Sequence, residues 1–392
     1  MRAGTRRSIG IAIAIGLLLA MAALSALPAI VDSQFNGVTG KPLPPVSAQA
    51  AALHRTLQIA DMHADTLLWG RDILRRSNRG HVDLPRLEQG NVALQVFSSV
   101  TKTPKGQNYH ANSAETDNIT LLTMVQLQPP RTWNSLIERS LWHAARLEDA
   151  ERRSDGRLRI VRSGADVNRL LADRAAGRRV TGALLSVEGL HDLEGNLGNL
   201  QRLYAAGFRM AGIAHFFDNE LGGSKHGVKK GGLTPFGRRV VAEMERRGMI
   251  VDVAHSSDRT LDDVLAIATR PVVYSHGGVQ ATCPNDRTLT DDQLRRIAAN
   301  GGLIGIGYWD AAICELTPAS IAAAIDHARL IAGIDHVALG SDFDGATTTP
   351  FDASQLVQVT NALLARGFTP DEIRKVMGGN ALRFLERELP PR

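Results

Sequence analysis

Residues 290–342 read TDDQLRRIAANGGLIGIGYWDAAICELTPASIAAAIDHARLIAGIDHVALGSD, and this stretch decides the fold. Thr290 opens a helix-like segment over residues 291–300, and an apolar run follows at 302–308. Thr317-Pro318 then open a second helix-like segment over 319–332, followed by a second run at 336–341. A threonine hydroxyl satisfies the free N–H groups of a first helical turn, and proline is tolerated there because it has no N–H to lose. Strands alternating with helices predict a parallel sheet.

The pattern repeats upstream. After a helix-like start near 48–57, short apolar runs occupy residues 58–62, 92–97, 183–187, 210–214, 249–254 and 271–275, and Thr234-Pro235 open a helix over 236–247. With the two runs above, eight strand–helix units fit a closed (β/α)8, TIM-like barrel better than an open doubly wound sheet, and no G-x-G-x-x-G opens a helix. Residues 101–179 carry helical patterns around 113–128 and 133–153, which predicts a helical insertion after the second strand.

A chain of 392 residues with 44% hydrophobic and 22% charged residues is a folded globular protein, neither fibrous nor disordered. The formal charge of +5 includes Arg2, Arg6 and Arg7, which precede the first acidic residue, Asp32. The remainder carries 42 basic against 40 acidic groups, which gives no reason to expect a nucleic-acid partner. Residues 9–31 lack any charge and follow the arginines, so residues 1–31 read as a signal-anchor or a cleavable signal peptide, with a tolerable cleavage site at Ala23-Leu24-Ser25. The expected arrangement is a membrane-anchored chain facing the periplasm or the cell exterior, the alternative being a secreted soluble one. Residues 32–47, with Gly37, Gly40 and three prolines, read as a tether to a domain spanning 48–392. Cys283 and Cys314, the only cysteines, cannot build a thiolate zinc cluster, though they could form one disulfide.

Chemically competent residues fall at the ends of the expected strands: His63 and Asp65 at the first, Glu188 at the third, His215 at the fourth, His255 at the fifth, His276 at the sixth and Asp342 at the eighth. In such a barrel these ends share one face, where active sites are built. One histidine at a strand end is most often a hydrogen-bonded core residue, but four of the twelve, converging with three carboxylates, need a positive charge among them. Imidazole and carboxylate donors without thiolate suit zinc and tolerate manganese, cobalt or iron. His63 and Asp65, two apart on one strand, can grip one ion, Glu188 can bridge, and His255 and His276 can hold a second. Two metals about 3.5–4 Å apart would share a water and acidify it.

Several segments, in order, resemble the membrane (renal) dipeptidases: DMHADTLLW (61–69), GHVDLPRLEQGNVALQVFS (80–98), SVEGLH (186–191), GIAHFFDNELGGS (212–224), GLTPFGRRVVAEMERRGMIVDVAHSS (232–257), VVYSHGG (272–278), GLIGIGYW (302–309), HVALGSDFDG (336–345) and GGNALRFL (378–385). The resemblance runs from about residue 59 to 384 and implies a binuclear zinc peptidase on a (β/α)8 barrel, with two Zn2+ per chain and dipeptides as substrates. It implies that His63 and Asp65 bind the first zinc, Glu188 bridges, and His255 and His276 bind the second. His215, Arg287 and Asp342 match substrate-contacting residues, and Asp342 matches a proton carrier. Relatives of this type often pair, which makes a homodimer one expected state. The chain departs from the family at Gly277 and Thr288, where serine and asparagine are usual. Cys283 and Cys314 flank the seventh strand and resemble a cysteine pair of some relatives, which implies the disulfide.

Other readings attach to the same residues. Arg287 alone would pass for an exposed loop arginine, and Asp344 and Asp83 for capping or turn residues. His81, His191 and His226 read as structural, and Trp69 and Tyr308 as either pocket or core. Related metal chemistry would serve an amidase, lactonase or β-lactam hydrolase. A tethered barrel that binds without turnover is the reading outside enzymology, and the intact ligand set argues against it.

Overall fold

The structure, a computed structural model, describes residue 15 and residues 26–392. The eight expected runs are the strands of a parallel barrel: β1 Ile59–Ala64, β2 Val92–Ser99, β3 Thr181–Val187, β4 Phe208–Gly212, β5 Ile250–Asp252, β6 Val273–Tyr274, β7 Leu303–Ile306 and β8 Val337–Leu339. Each pairs with the next, and Leu339 of β8 pairs with Asp61 of β1, which closes the ring. On β1, Ala60 and Met62 face the barrel interior, in one apolar cluster with Leu94 and Val96 of β2, Leu184 of β3, Met210 of β4, Ile250 of β5, Val273 of β6, Leu303 of β7 and Ala338 of β8. The register with β2 slips between Asp61 and Ala64, an irregularity that breaks the alternation and re-aims the chain, and His63 stands at the end of the barrel where the strands finish.

The helices begin where the capping chemistry placed them. Thr234, Thr290 and Thr317 each accept a backbone N–H three residues on, opening Pro235–Arg247, Asp291–Ala299 and Pro318–Ala332. Each such cap is worth about 1 kcal/mol. The insertion after β2 contains Ile119–Val125, Arg131–Asn134 and Leu136–Arg153, as expected, but it is not wholly helical. Its short strand Leu158–Ile160 pairs with residues 181–183 of β3, while β4 pairs with 185–187, so the two share one edge of β3.

The stretch 32–47, expected as a tether, is folded onto the barrel instead. Residues 26–35 are helical. Asp32 is buried and ion-paired with Arg71 and Arg79, each Nε lying 3.0 Å from Oδ2. Gly37 and Val38 pair in parallel with Thr348 and Thr349, and the Ser47 N–H donates to Asn361 Oδ1 at 3.0 Å. Glycine and proline composition marked a chain without helix or long strand, but a buried aspartate between two arginines overrides that signal. The membrane segment expected at 9–31 lies, apart from residue 15 and residues 26–31, outside the described residues. Among the described residues no helix is long and apolar enough to cross a membrane.

Candidate metal and substrate site

His63, Asp65, Glu188, His215, His255, His276, Arg287 and Asp342 all come together at the strand-end face of the barrel, and all are buried. Glu188 is their centre. Its Oε1 lies 2.9 Å from His255 Nε2, 3.1 Å from His276 Nε2 and 3.7 Å from His63 Nε2, while Oε2 lies 3.4 Å from His215 Nε2. His63 Nε2 is 3.4 Å from Asp65 Oδ1 and 3.8 Å from Asp342 Oδ1. Oε1 thus faces the histidines of both candidate ligand pairs, and Oε2 faces His215.

The donors suit divalent cations. Both ring nitrogens of His63 and Oδ1 of Asp65 are buried without a hydrogen-bond partner, a costly state unless something else engages them. The Nε2 atoms of His255 and His276 stand 3.0 Å apart, aimed at the same carboxylate oxygen. Burial, reinforced by the Arg287 charge, holds both imidazoles well below the usual histidine range, so they are neutral, the form that ligates. Burial raises Glu188, but His215, His63 and the bonds from His255 and His276 outweigh it and keep the carboxylate charged. Asp342 goes the other way, pushed well up by burial and by Asp65 and Glu188 against the pull of His63.

Two supporting aspartates were not anticipated. Asp252 Oδ1 accepts the N–H groups of Ala254 and Ser275, tying β5 to β6, and the Ser275 hydroxyl donates to Oδ2. That hydroxyl has one proton, so toward His276 Nδ1, 2.9 Å away, it acts as acceptor. The proton of His276 is thereby fixed on Nδ1 and Nε2 is left free. Asp252 also lies with His63 and His276 in a group whose ligand atoms are within 4.8 Å of one another. Asp61 Oδ1 makes the matching tie between β1 and β8, accepting from His63 and Ser341. A legible signal existed for both: a lone acid inside an otherwise apolar barrel strand.

Arg287 is no exposed loop arginine, being 1% accessible. Its Nη2 donates to the His276 carbonyl at 3.0 Å and Nη1 to Tyr274 Oη at 3.0 Å. The loop carrying it is pinned by the Cys283–Cys314 disulfide, with Cα atoms 5.3 Å apart. Both departures from the family lie in this neighbourhood. At Gly277 a Cβ would fall 2.1 Å from Tyr274 Oη, so glycine makes room for the tyrosine. Thr288 Oγ1 lies 2.9 Å from the carbonyls of both Cys283 and Asn285, so its one proton is shared within the loop.

Asp65, Glu188, His215, His255, Arg287 and Asp342 line a cavity of about 850 Å³, in the range of small-molecule sites. The insertion roofs it, where Tyr109 Oη accepts from Trp309 Nε1 at 3.1 Å and stacks near Phe216. Neither Tyr109 nor Trp309 was singled out in the sequence, because a lone aromatic in a long connection carries no periodic signal. Trp69 lines the cavity, whereas Tyr308 is wholly buried. Asp344 is structural: it pairs with Arg71 at 2.7 Å and accepts from Thr66 and the His81 N–H. Asp83 caps the helix Leu84–Gln89. His191 meets Thr101 at 3.0 Å and His226 meets the Tyr109 carbonyl at 2.9 Å, outside the Glu188 cluster.

A sequence profile of the membrane dipeptidases, peptidase family M19, matches residues 47–389. The chain belongs to the membrane dipeptidase family. Among curated members it is similar to Dipeptidase aclJ of Aspergillus oryzae, 32% identical over 83% of this chain and 77% of that one. It is likewise similar to Dipeptidase tcpJ of Claviceps purpurea, 31% identical over 78% and 69%. Of solved structures in the same family, the metallopeptidase dipeptidase AC superposes with a TM-score of 0.71 at 26% identity, covering 85% of this chain and 99% of that one. A metallopeptidase from Rhodobacter sphaeroides, solved with a phosphinate mimic of the dipeptide L-Ala-D-Ala, superposes with a TM-score of 0.68 at 26% identity and the same coverage. Membership in the membrane dipeptidase family accounts for the burial of so many titratable groups at one barrel end.

Proposed function

We propose that this chain hydrolyses the peptide bond of dipeptides with two divalent metals, zinc fitting the donor set, held by His63 and Asp65 on one side, His255 and His276 on the other, and Glu188 between. The observation that carries this reading is a buried guanidinium, Arg287, fixed on two sides and set beside the Glu188 cluster. An arginine so placed takes a free carboxylate by paired hydrogen bonds, which favours a substrate whose chain ends at that guanidinium. Metals bound there would polarise the scissile carbonyl and acidify a water. His215, neutral through burial, is placed to steady the developing oxyanion. Asp342, with its raised carboxyl, takes the proton from the attacking water and delivers it to the leaving amine.

The test compares dipeptides with their C-terminal amides, with and without chelator. Activity abolished by chelator, restored by zinc and lost on amidation is the expected result. Equal hydrolysis of the amides would favour a general amidase, and chelator-resistant turnover would overturn the reading. Asp342→Asn should keep its metals and lose about a hundredfold or more in kcat, whereas Glu188→Ala should lose metal as well.

We also infer that the chain is exported and held at the outer or periplasmic face of a membrane through the apolar segment 9–31, of which residues 26–31 already belong to the helix laid on the barrel. The Cys283–Cys314 disulfide, of a kind that persists in oxidising compartments, supports this. Carbonate washing and protease accessibility test it, and a mature chain starting near Ala26 would show release instead.

A further inference from the structure

The N-terminal strap does more than connect. Val31 and Phe35, one helical turn apart and so on one face, both line the substrate cavity. Val31 packs against a separate apolar cluster formed by Leu68, Trp69, Val100 and Ile119. Phe35 is 51% exposed, at the cavity mouth. The strap's position is over-determined. Beyond the Asp32 pairs with Arg71 and Arg79, Asn36 donates to Asp32 Oδ1 at 2.8 Å and accepts the Ala346 N–H at 3.0 Å. The Gly37 carbonyl meets His81 Nε2 at 2.9 Å.

Barrel order says which part of a substrate this wall meets. Arg287 follows β6, and the cluster follows β1 and β2, on the far side of an eight-strand ring from β5 and β6. A dipeptide whose carboxylate sits on Arg287 and whose peptide bond lies over Glu188 extends its amino-terminal residue toward β1 and β2. We propose that Val31 and Phe35 complete an apolar subsite for the side chain of the amino-terminal residue, so that the strap sets a preference for dipeptides beginning with a large apolar residue. This rests on the dipeptidase reading above and names the substrate class within it.

The experiment uses the full chain and measures kcat/KM for Phe-Ala and Gly-Ala side by side. The wild type should favour Phe-Ala. In Phe35→Ala the Phe-Ala to Gly-Ala ratio should fall about tenfold, through KM, since an apolar pocket discriminates by contact area. Asp32→Asn, which loosens the strap without touching the cavity wall, should shift the ratio the same way, with melting curves to confirm that both variants fold. An unchanged ratio, or equal loss on both substrates, overturns the subsite. Failure of the wild type to cleave any dipeptide would instead overturn the reaction assigned above, and would show before any variant is made.

Discussion

The Tyr274 hydroxyl holds Arg287 at both ends, donating to its carbonyl at 2.7 Å and accepting from its guanidinium Nη1 at 3.0 Å. A loop residue is thus pre-set for its ligand by a barrel strand. Removing the hydroxyl in Tyr274→Phe leaves the guanidinium held through Nη2 alone, by the His276 carbonyl and His255, and KM for dipeptides should rise about tenfold while kcat holds. C-terminal amides, which give Arg287 no carboxylate, should be nearly indifferent. Steady-state kinetics on matched acid and amide pairs check this.

Restoring the residue usual in the family at position 277 should harm this chain. A serine Cβ there would collide with the Tyr274 ring and hydroxyl. Gly277→Ser is expected to raise KM at least as far as Tyr274→Phe, and the double variant to show much less than the sum of the two effects, because both act through Arg287. Additive effects in a double-mutant cycle would separate the two residues.

Ser275 should govern metal retention. Without its hydroxyl the Asp252–Ser275–His276 chain is broken and nothing fixes the His276 proton on Nδ1. Ser275→Ala should weaken metal binding by about ten- to a hundredfold in chelator competition, and Ser275→Thr, which keeps the hydroxyl, should restore it.

Acid sensitivity should begin near neutrality. Burial pulls His54 down to about 4 despite its bond to the Gly90 carbonyl, and pulls His143 down to about 3, with Arg146 and Arg139 adding to the effect. Both are neutral in the fold. The unfolded chain protonates near the ordinary histidine value of about 6.5. Below that pH the unfolded state binds protons that the folded state refuses, so the stability present above it is lost as pH falls toward 4 and 3. Each group contributes a slope of at most about 1.4 kcal/mol per pH unit. Urea midpoints should fall between pH 7 and pH 5, and less steeply in His54→Gln/His143→Gln.

The barrel was legible because its strands are buried on both faces and stop at polar turns, and the site because a barrel sends strand ends to one place. His63, Glu188, His255 and His276 needed only that rule. Asp252 and Asp61 were missed because an acid within a strand reads as an interruption until its partners across the sheet, Ser275 and Ser341, are seen. The strap was misread for a related reason: Asp32 finds Arg71 and Arg79 only once β1 and the chain after it are folded. Contacts far apart in sequence leave no local pattern.

The disulfide joins the loop before β7 to the loop after it, and by chain entropy closing a span of 31 residues contributes about 3 to 4 kcal/mol. None of the metal-ligand candidates lies within that span except through Arg287's contacts with His255 and His276. Material produced in a reducing host is therefore expected to assemble the barrel and take up metal, and yet to capture dipeptides poorly. For this protein the oxidation history of a preparation is a hidden variable of its apparent affinity, and thiol titration belongs beside every KM.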